Sequence, residues 1–268
     1  GFGGRGAPRG RPRLANQPPR PPPPAGSPDR LMELLYTFAS PPSPCGYLPD
    51  QTWSLRYELV RGMSAAEYAA RMHRGWRRFG HALFRPECPS CRRCQPLRVD
   101  VERFTPGRTM KRVAKQNAGE LTLRVGRPTV TDQKLALYDR FHSFQTGHKG
   151  WPERDPETPE EFAEAFVDNP FDNEEWSYYL DDRLVGVGYV DAVPDGLSLI
   201  YFFYDPDLRD RSPGTWNVLC GVQAAKERRL PWVYLGYYVE GCRSLEYKAR
   251  YTPNQVYDWA TGEWVAFK

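Results

Sequence analysis

With 268 residues the chain fits one large domain or two small ones and can bury a substantial core. Its 40% apolar content, its mean hydropathy of −0.68 and the lack of any apolar run near the ~18 residues of a membrane span argue against a helical membrane protein, and no secretory signal is visible. The net charge of +4 hides a polarised distribution: residues 1–28 carry five Arg and no acid, residues 71–124 carry 14 Lys and Arg against 4 Asp and Glu, and the remainder sums to −11. The basic block reads either as a solvated face or as a phosphate-binding surface.

In chain order, residues 1–28 are Gly, Pro and Arg with almost nothing to bury, and read as a disordered leader. Residues 29–120 read as an N-terminal, cysteine-containing basic domain. Within it, SAAEYAARMHRGWRRFG predicts a helix that opens on a Ser64/Glu67 capping box and closes at Gly80, with Tyr68, Met72, Trp76 and Phe79 on one side. From residue 121 the pattern changes. LTLRV predicts a strand, TDQKLALYDRFHSF a helix with Leu135, Tyr138 and Phe141 on one side, and TPEEFAEAF a second helix capped by Thr158 and Glu161. WSYYL and RLVGVGYVDAV, joined by two Asp residues, predict a hairpin; LSLIYFFYD follows as an apolar strand, SPGTWNVLCGVQAAKERR as a helix and PWVYLGYYV as a buried strand. A strand, a crossing helix and another strand make a β-α-β unit with a parallel pair. The order is α+β and similar to an acetyltransferase-like (GNAT) core over residues 121–268.

The stretch PECPSCRRCQ holds Cys88, Cys91 and Cys94 at a spacing of two, with Cys45 well upstream. This is a poor disulfide framework in a chain of this size without a signal. Four thiols suit a tetrahedral structural Zn²⁺, and equally an iron–sulfur cluster. Cys220 and Cys242 read as unrelated to this set, Cys220 as core.

FYDPDLRDRSPGTW follows an apolar strand and opens a helix, a place where free backbone N–H groups favour phosphate. Arg211, Ser212, Gly214 and Thr215 loosely match the turn that cradles a pyrophosphate in GNAT folds; an ordinary capped helix start is the bland alternative. The tyrosines at 201, 204, 234, 237 and 238 read mostly as core, with Tyr204, Tyr237 and Tyr238 at strand ends where one could meet a ligand.

From Tyr36 to the C-terminus the chain resembles the arginyl-tRNA–protein transferase superfamily, in its bacterial leucyl-transferring branch. The resemblance rests on PCGYLPD, GWRRFG, FRPECPSCRRCQPLRV, RFTPGRTMKRVAKQN, VGVGYVDAVPDGLSLIYFFYDPDLRDRSPGT and YLGYYVEGCRSLEYK. It implies a cytoplasmic enzyme, with no membrane partner, that needs no cofactor for its chemistry. An amino acid esterified to tRNA passes to the α-amino group of a protein beginning with Asp or Glu, and the new N-terminus is a degradation signal. Leucine is the implied donor group; arginine transfer and a non-catalytic, metal-stabilised RNA-binding module are the rivals. On this reading, Arg211 to Thr215 hold the terminal phosphate and backbone near Leu235 and Gly236 contacts the ester. Tyr204, Asp205 or Tyr237 assists proton transfer. Arg108, Lys111, Arg112 and Lys115 meet tRNA phosphates, helped by Arg77 and Arg78. Arg78 and Lys248 are the candidates for reading the acceptor carboxylate.

Overall fold

The computed structural model describes residues 32–268; the leader at 1–28 lies outside them. The first half contributes β1 (Glu33–Ala39), a short ladder of β2 (Ser43–Pro44) and β3 (Thr52–Trp53), β4 (Leu55–Arg61), α1 (Ala65–Met72), β5 (Arg77–Phe79), β6 (Ala82–Pro86), β7 (Cys94–Asp100) and α2 (Arg108–Asn117). The second contributes β8 (Leu121–Gly126), α3 (Asp132–Lys149), α4 (Pro159–Phe162) with a π-helical continuation over Ala163–Val167, β9 (Glu174–Leu180), β10 (Arg183–Val193) and β11 (Gly196–Tyr204). A 3-10 turn (Pro206–Arg211), α5 (Pro213–Glu227), β12 (Trp232–Val239), α6 (Arg243–Glu246), β13 (Asn254–Asp258) and β14 (Glu263–Ala266) complete the chain.

The strands form a four-stranded antiparallel sheet, β1-β4-β6-β5, and an eight-stranded sheet, β14-β13-β7-β12-β11-β10-β9-β8. The predicted hairpin, the apolar strand and the α5 crossover are all present, and β11 and β12 run parallel as the β-α-β reading requires. Strand β7 sits inside the large sheet between β12 and β13. The large sheet therefore takes one strand, β7, from before residue 120 and the other seven from after it.

Two cores cover the large sheet. Helices α2 and α5 supply Met110, Val113, Trp216 and Val222 to one, which holds Leu197, Leu199 and Val233. Helices α3 and α4 supply Tyr138, Phe141 and Phe162 to the other, with Val187, Tyr189 and Phe203. Strand alternation places them on opposite faces: the Cβ position of Gly188 points at Asn217 of α5, while its neighbours Val187 and Tyr189 pack against the other side. Helix α1 joins the sheets by packing Tyr68 and Met72 with Val60 and Leu83 of the small sheet and Val193 and Tyr234 of the large one.

The capping box that begins α1 is present, with Glu67 N donating to Ser64 Oγ and Ser64 N donating to Glu67 Oε2 at 2.8 Å. The predicted end of the helix is corrected: α1 stops at Met72, and residues 77–79 form β5. Gly75 adopts a φ of +82°, and a Cβ there would lie 2.6 Å from the Trp259 ring. The chain must reverse at this glycine, so Trp76 still packs with Tyr68 and Met72 while Phe79 joins the α3–α4 core. Gly80 is the hairpin turn between β5 and β6, not a helix cap; its φ is +53° and a Cβ would lie 2.6 Å from the Glu164 carbonyl. Gly80→Ala should therefore destabilise the protein by at least about 2 kcal/mol, read as a lower urea midpoint at unchanged slope.

Candidate functional site

Strands β11 and β12 pair only through Gly196–Ser198 and Trp232–Tyr234, then part. On its other side β12 remains paired with β7 out to Val239, with a register shift between Tyr234 and Gly236. The backbone of β12 from Leu235 onward is thus free of β11. Gly236, at a φ of +77°, lies at this fork.

Two cations project into the fork from other elements. Arg77 of β5 donates from Nη1 to Ser198 Oγ at 2.9 Å and from Nη2 to the Leu199 carbonyl at 3.3 Å. Lys248, in the turn after α6, donates to the Tyr237 carbonyl at 2.8 Å. Burial pulls the Lys248 amine down to about 7, the Arg77 charge adds to this, and Cys242 and Cys94 oppose it. Both sequence candidates at β12, Leu235 and Gly236, therefore lie where the strands diverge, and Lys248 lies beside them.

Other predicted residues are committed elsewhere. Arg78 alternates to the opposite face of β5 from Arg77, where Nε meets Asp191 Oδ2 at 2.8 Å and Nη2 closes a second bond to the same carboxylate. It also donates to the Gly80 carbonyl and Asn169, and lies over the Phe171 ring. Fully partnered and buried, Arg78 is not available to read an acceptor, which corrects that assignment. Asp205, a candidate to assist proton transfer, is likewise committed elsewhere: it pairs with Arg140 at 3.1 Å and with Arg183, and accepts from Asp207 N at the 3-10 turn. The Tyr237 hydroxyl donates toward the Gly75 and Phe84 carbonyls at 3.3 Å each, and burial raises its pKa well above the ordinary value. Tyr204, half-buried against Phe141 and raised by burial, makes no side-chain hydrogen bond to another described residue.

At the start of α5, Ser212 is left-handed with no side-chain cap, and Gly214 has open space where a Cβ would be. Thr215 is half-exposed beside it. Arg211 points away from this turn: it pairs with Glu120 at 2.6 Å and donates to the Gln116 carbonyl at the end of α2. Asn117 Nδ2 donates to the Arg211 carbonyl at 2.9 Å and docks α2 against the α5 turn. Helix α2 buries Met110, Val113 and Asn117, which leaves Arg108, Lys111, Arg112 and Lys115 exposed. None of the four pairs with an acid among the described residues. The predicted basic surface is therefore a single helix face that adjoins the open α5 turn.

Cys45, Cys88, Cys91 and Cys94 line one cavity of about 50 Å³, together with Tyr47, Leu48, Trp53, Phe84 and Tyr237. Cys242, read as unrelated, packs in the same cluster, a correction that no local spacing could have supplied. Among the described residues the side chains are not drawn into a closed metal-binding geometry. The donor set still suits a cation. Burial pushes the Cys94 thiol up to about 12, and charge on Cys88, Cys45, Cys91 and Cys242 pushes the same way. At neutral pH Cys94 is therefore a protonated thiol on its own, and a cation would have to displace its proton to use it as a ligand.

Residues 43–112 match the model described as arginine-tRNA-protein transferase, N terminus, and residues 133–258 match the corresponding C-terminus model. The aspartate/glutamate leucyltransferase of Helicobacter hepaticus is 36% identical over 223 residues, which cover 83% of this chain and 92% of the relative. Its counterparts in Campylobacter jejuni strain 81-176 (36%, 83% and 93% covered) and Marinobacter nauticus (35%, 83% and 92% covered) are similar to the same extent. Among solved structures, the C-terminal domain (DUF2156) of a putative lysylphosphatidylglycerol synthetase from Agrobacterium fabrum aligns with a TM-score of 0.43 at 14% identity, covering 63% of this chain and 61% of that one. The protein is an aminoacyltransferase. The chain belongs to the arginine-tRNA-protein transferase family, across both of that family's halves. No helix of the described residues is long and apolar enough to cross a membrane.

Proposed function

We propose that the protein transfers leucine from Leu-tRNA to the α-amino group of proteins that begin with Asp or Glu, in the cytoplasm, on a GNAT-like core. The observation that carries this reading is the fork: a parallel pair that separates after Ser198 and Tyr234, with a crossover helix opening beside a basic helix face. Unpaired backbone at such a fork can take an ester carbonyl. The Leu235–Gly236 backbone supplies that contact, the exposed face of α2 takes tRNA phosphates, and the open turn at Ser212, Gly214 and Thr215 takes the terminal nucleotide. Arg211 contributes by fixing α2 against that turn.

An aminoacyl ester is already activated, so positioning and stabilisation of the developing oxyanion carry most of the rate. The attacking α-amine has an ordinary pKa of about 7.7–8.0, so part of it is free base at neutral pH. A strong base is therefore unnecessary. Of the sequence candidates for proton transfer, Tyr204 alone keeps a side chain without a hydrogen-bond partner among the described residues, but it stands six residues beyond Ser198, at the far end of β11 from the fork. The decisive assay mixes the protein with labelled Leu-tRNA or Arg-tRNA and a peptide beginning with Asp. Transfer of leucine to the free peptide and not to its acetylated form is expected; transfer of arginine alone, or of neither, overturns the reading.

Cys45, Cys88, Cys91 and Cys94 would hold a structural metal, zinc or an iron–sulfur cluster, which would supply positive charge and tie residue 45 to the start of β7. Stripping the protein with a chelator, or Cys91→Ser, should lower its unfolding free energy by more than about 2 kcal/mol, with metal content falling in step. Stability indifferent to metal would refute the structural role.

A further inference from the structure

The four buried cations of the described residues divide into two kinds. Arg78 is paired with Asp191 and Lys134 with Glu175. Arg77 and Lys248, 7% and 9% exposed, have no carboxylate within 4.0 Å and donate only to neutral oxygens. A buried cation without a counter-ion is costly, and two in one place repel each other as well. The gap between them is specific. The point where a side chain of Gly236 would begin lies 3.5 Å from Arg77 Nη2, 3.7 Å from Arg77 Nε and 3.6 Å from Lys248 Nζ, and no other atom outside the neighbouring residues is as near. The missing side chain thus leaves the Gly236 backbone open to two nitrogens of Arg77 and one of Lys248, beside the backbone proposed to receive the ester.

We propose that this space binds the side-chain carboxylate of the acceptor's N-terminal Asp or Glu, so that Arg77 and Lys248 are the residues that set acceptor specificity. The proposal rests on the fork being the transfer site. A planar carboxylate matches the edge of a guanidinium and completes the missing charge. In an N-terminal Asp only two carbons separate the carboxyl carbon from the α-nitrogen, and in Glu three. Holding the carboxylate beside Gly236 therefore holds the nucleophile beside the ester. The Arg77 charge also disfavours protonation of the incoming amine and raises the fraction that can attack. A neutral first residue would leave both cations uncompensated and gain none of this.

The test compares wild type with Arg77→Met, Lys248→Met and Arg77→Lys. Acceptors are matched peptides beginning with Asp, Glu and Asn, and hydroxylamine serves as a nucleophile without a carboxylate. Each Met variant should lower kcat/KM for the Asp peptide by about ten- to hundredfold, mainly through KM, and collapse the Asp-over-Asn preference. Arg77→Lys should retain part of that preference. Release of leucine from Leu-tRNA to hydroxylamine, measured above the uncatalysed reaction, should fall much less than transfer to the Asp peptide, and thermal midpoints report what the lost bonds of Arg77 to Ser198 and Leu199 contribute to folding. An unchanged Asp-to-Asn ratio overturns the proposal and leaves the fork reading intact. A parallel fall in the hydroxylamine reaction overturns it by assigning the pair to the donor. Absence of transfer by wild type overturns both.

Discussion

Replacing Asp191 with Ala should lower the unfolding free energy by about 3–5 kcal/mol, the cost of leaving Arg78 charged and buried. The Arg78 and Asp191 side chains are 1% and 0% exposed, so no water can stand in for the lost carboxylate. The pair also bridges the two sheets, since Arg78 lies on β5 and Asp191 on β10. Urea denaturation reads the effect directly. A double variant, Arg78→Met with Asp191→Leu, should recover most of the loss, because it removes both the unpaired charge and its desolvation. If the double variant is as unstable as Asp191→Ala alone, the surrounding bonds to Gly80 and Asn169 carry the stability and the ion pair does not.

Neutralising the α2 face should have the largest effect on the donor. Changing Arg108, Lys111, Arg112 and Lys115 together to Gln is expected to weaken aminoacyl-tRNA binding by about 10²–10³-fold at physiological salt, and to flatten the slope of log affinity against log salt by about 3–4. Stability should stay within about 0.5 kcal/mol, since all four side chains are exposed and unpaired among the described residues. The Asp-over-Asn preference of the acceptor should not move. A salt slope equal to wild type would show that tRNA binds elsewhere.

The C-terminal half was legible because its signals are local. The hairpin of β9 and β10 is two apolar runs joined by a pair of Asp residues, and α4 carries the Thr158 cap that the structure retains. The end of α1 was not legible, because the reversal at Gly75 depends on a Trp259 ring 184 positions away in the sequence. The same limit applies to the site. Arg77 and Arg78 are adjacent and chemically identical, and strand alternation sends one to Asp191 and the other to the fork. Only the position of an acid 113 residues downstream distinguishes them. Asp205 and Arg211 were misjudged for the same reason: their partners, Arg140, Arg183 and Glu120, come from distant elements. The thiol spacing at residues 88–94 was informative, and Cys242 was not, because it reaches that cluster only through the turn after β12.

Strand β7 also dictates the order of assembly. Its two lateral neighbours, β12 and β13, begin 138 and 160 residues after it begins, so a ribosome exposes a strand with both edges bare long before either mate is made. Closure of the eight-stranded sheet must await nearly the whole polypeptide, a high contact order that makes folding slow and leaves the nascent chain dependent on protection from aggregation.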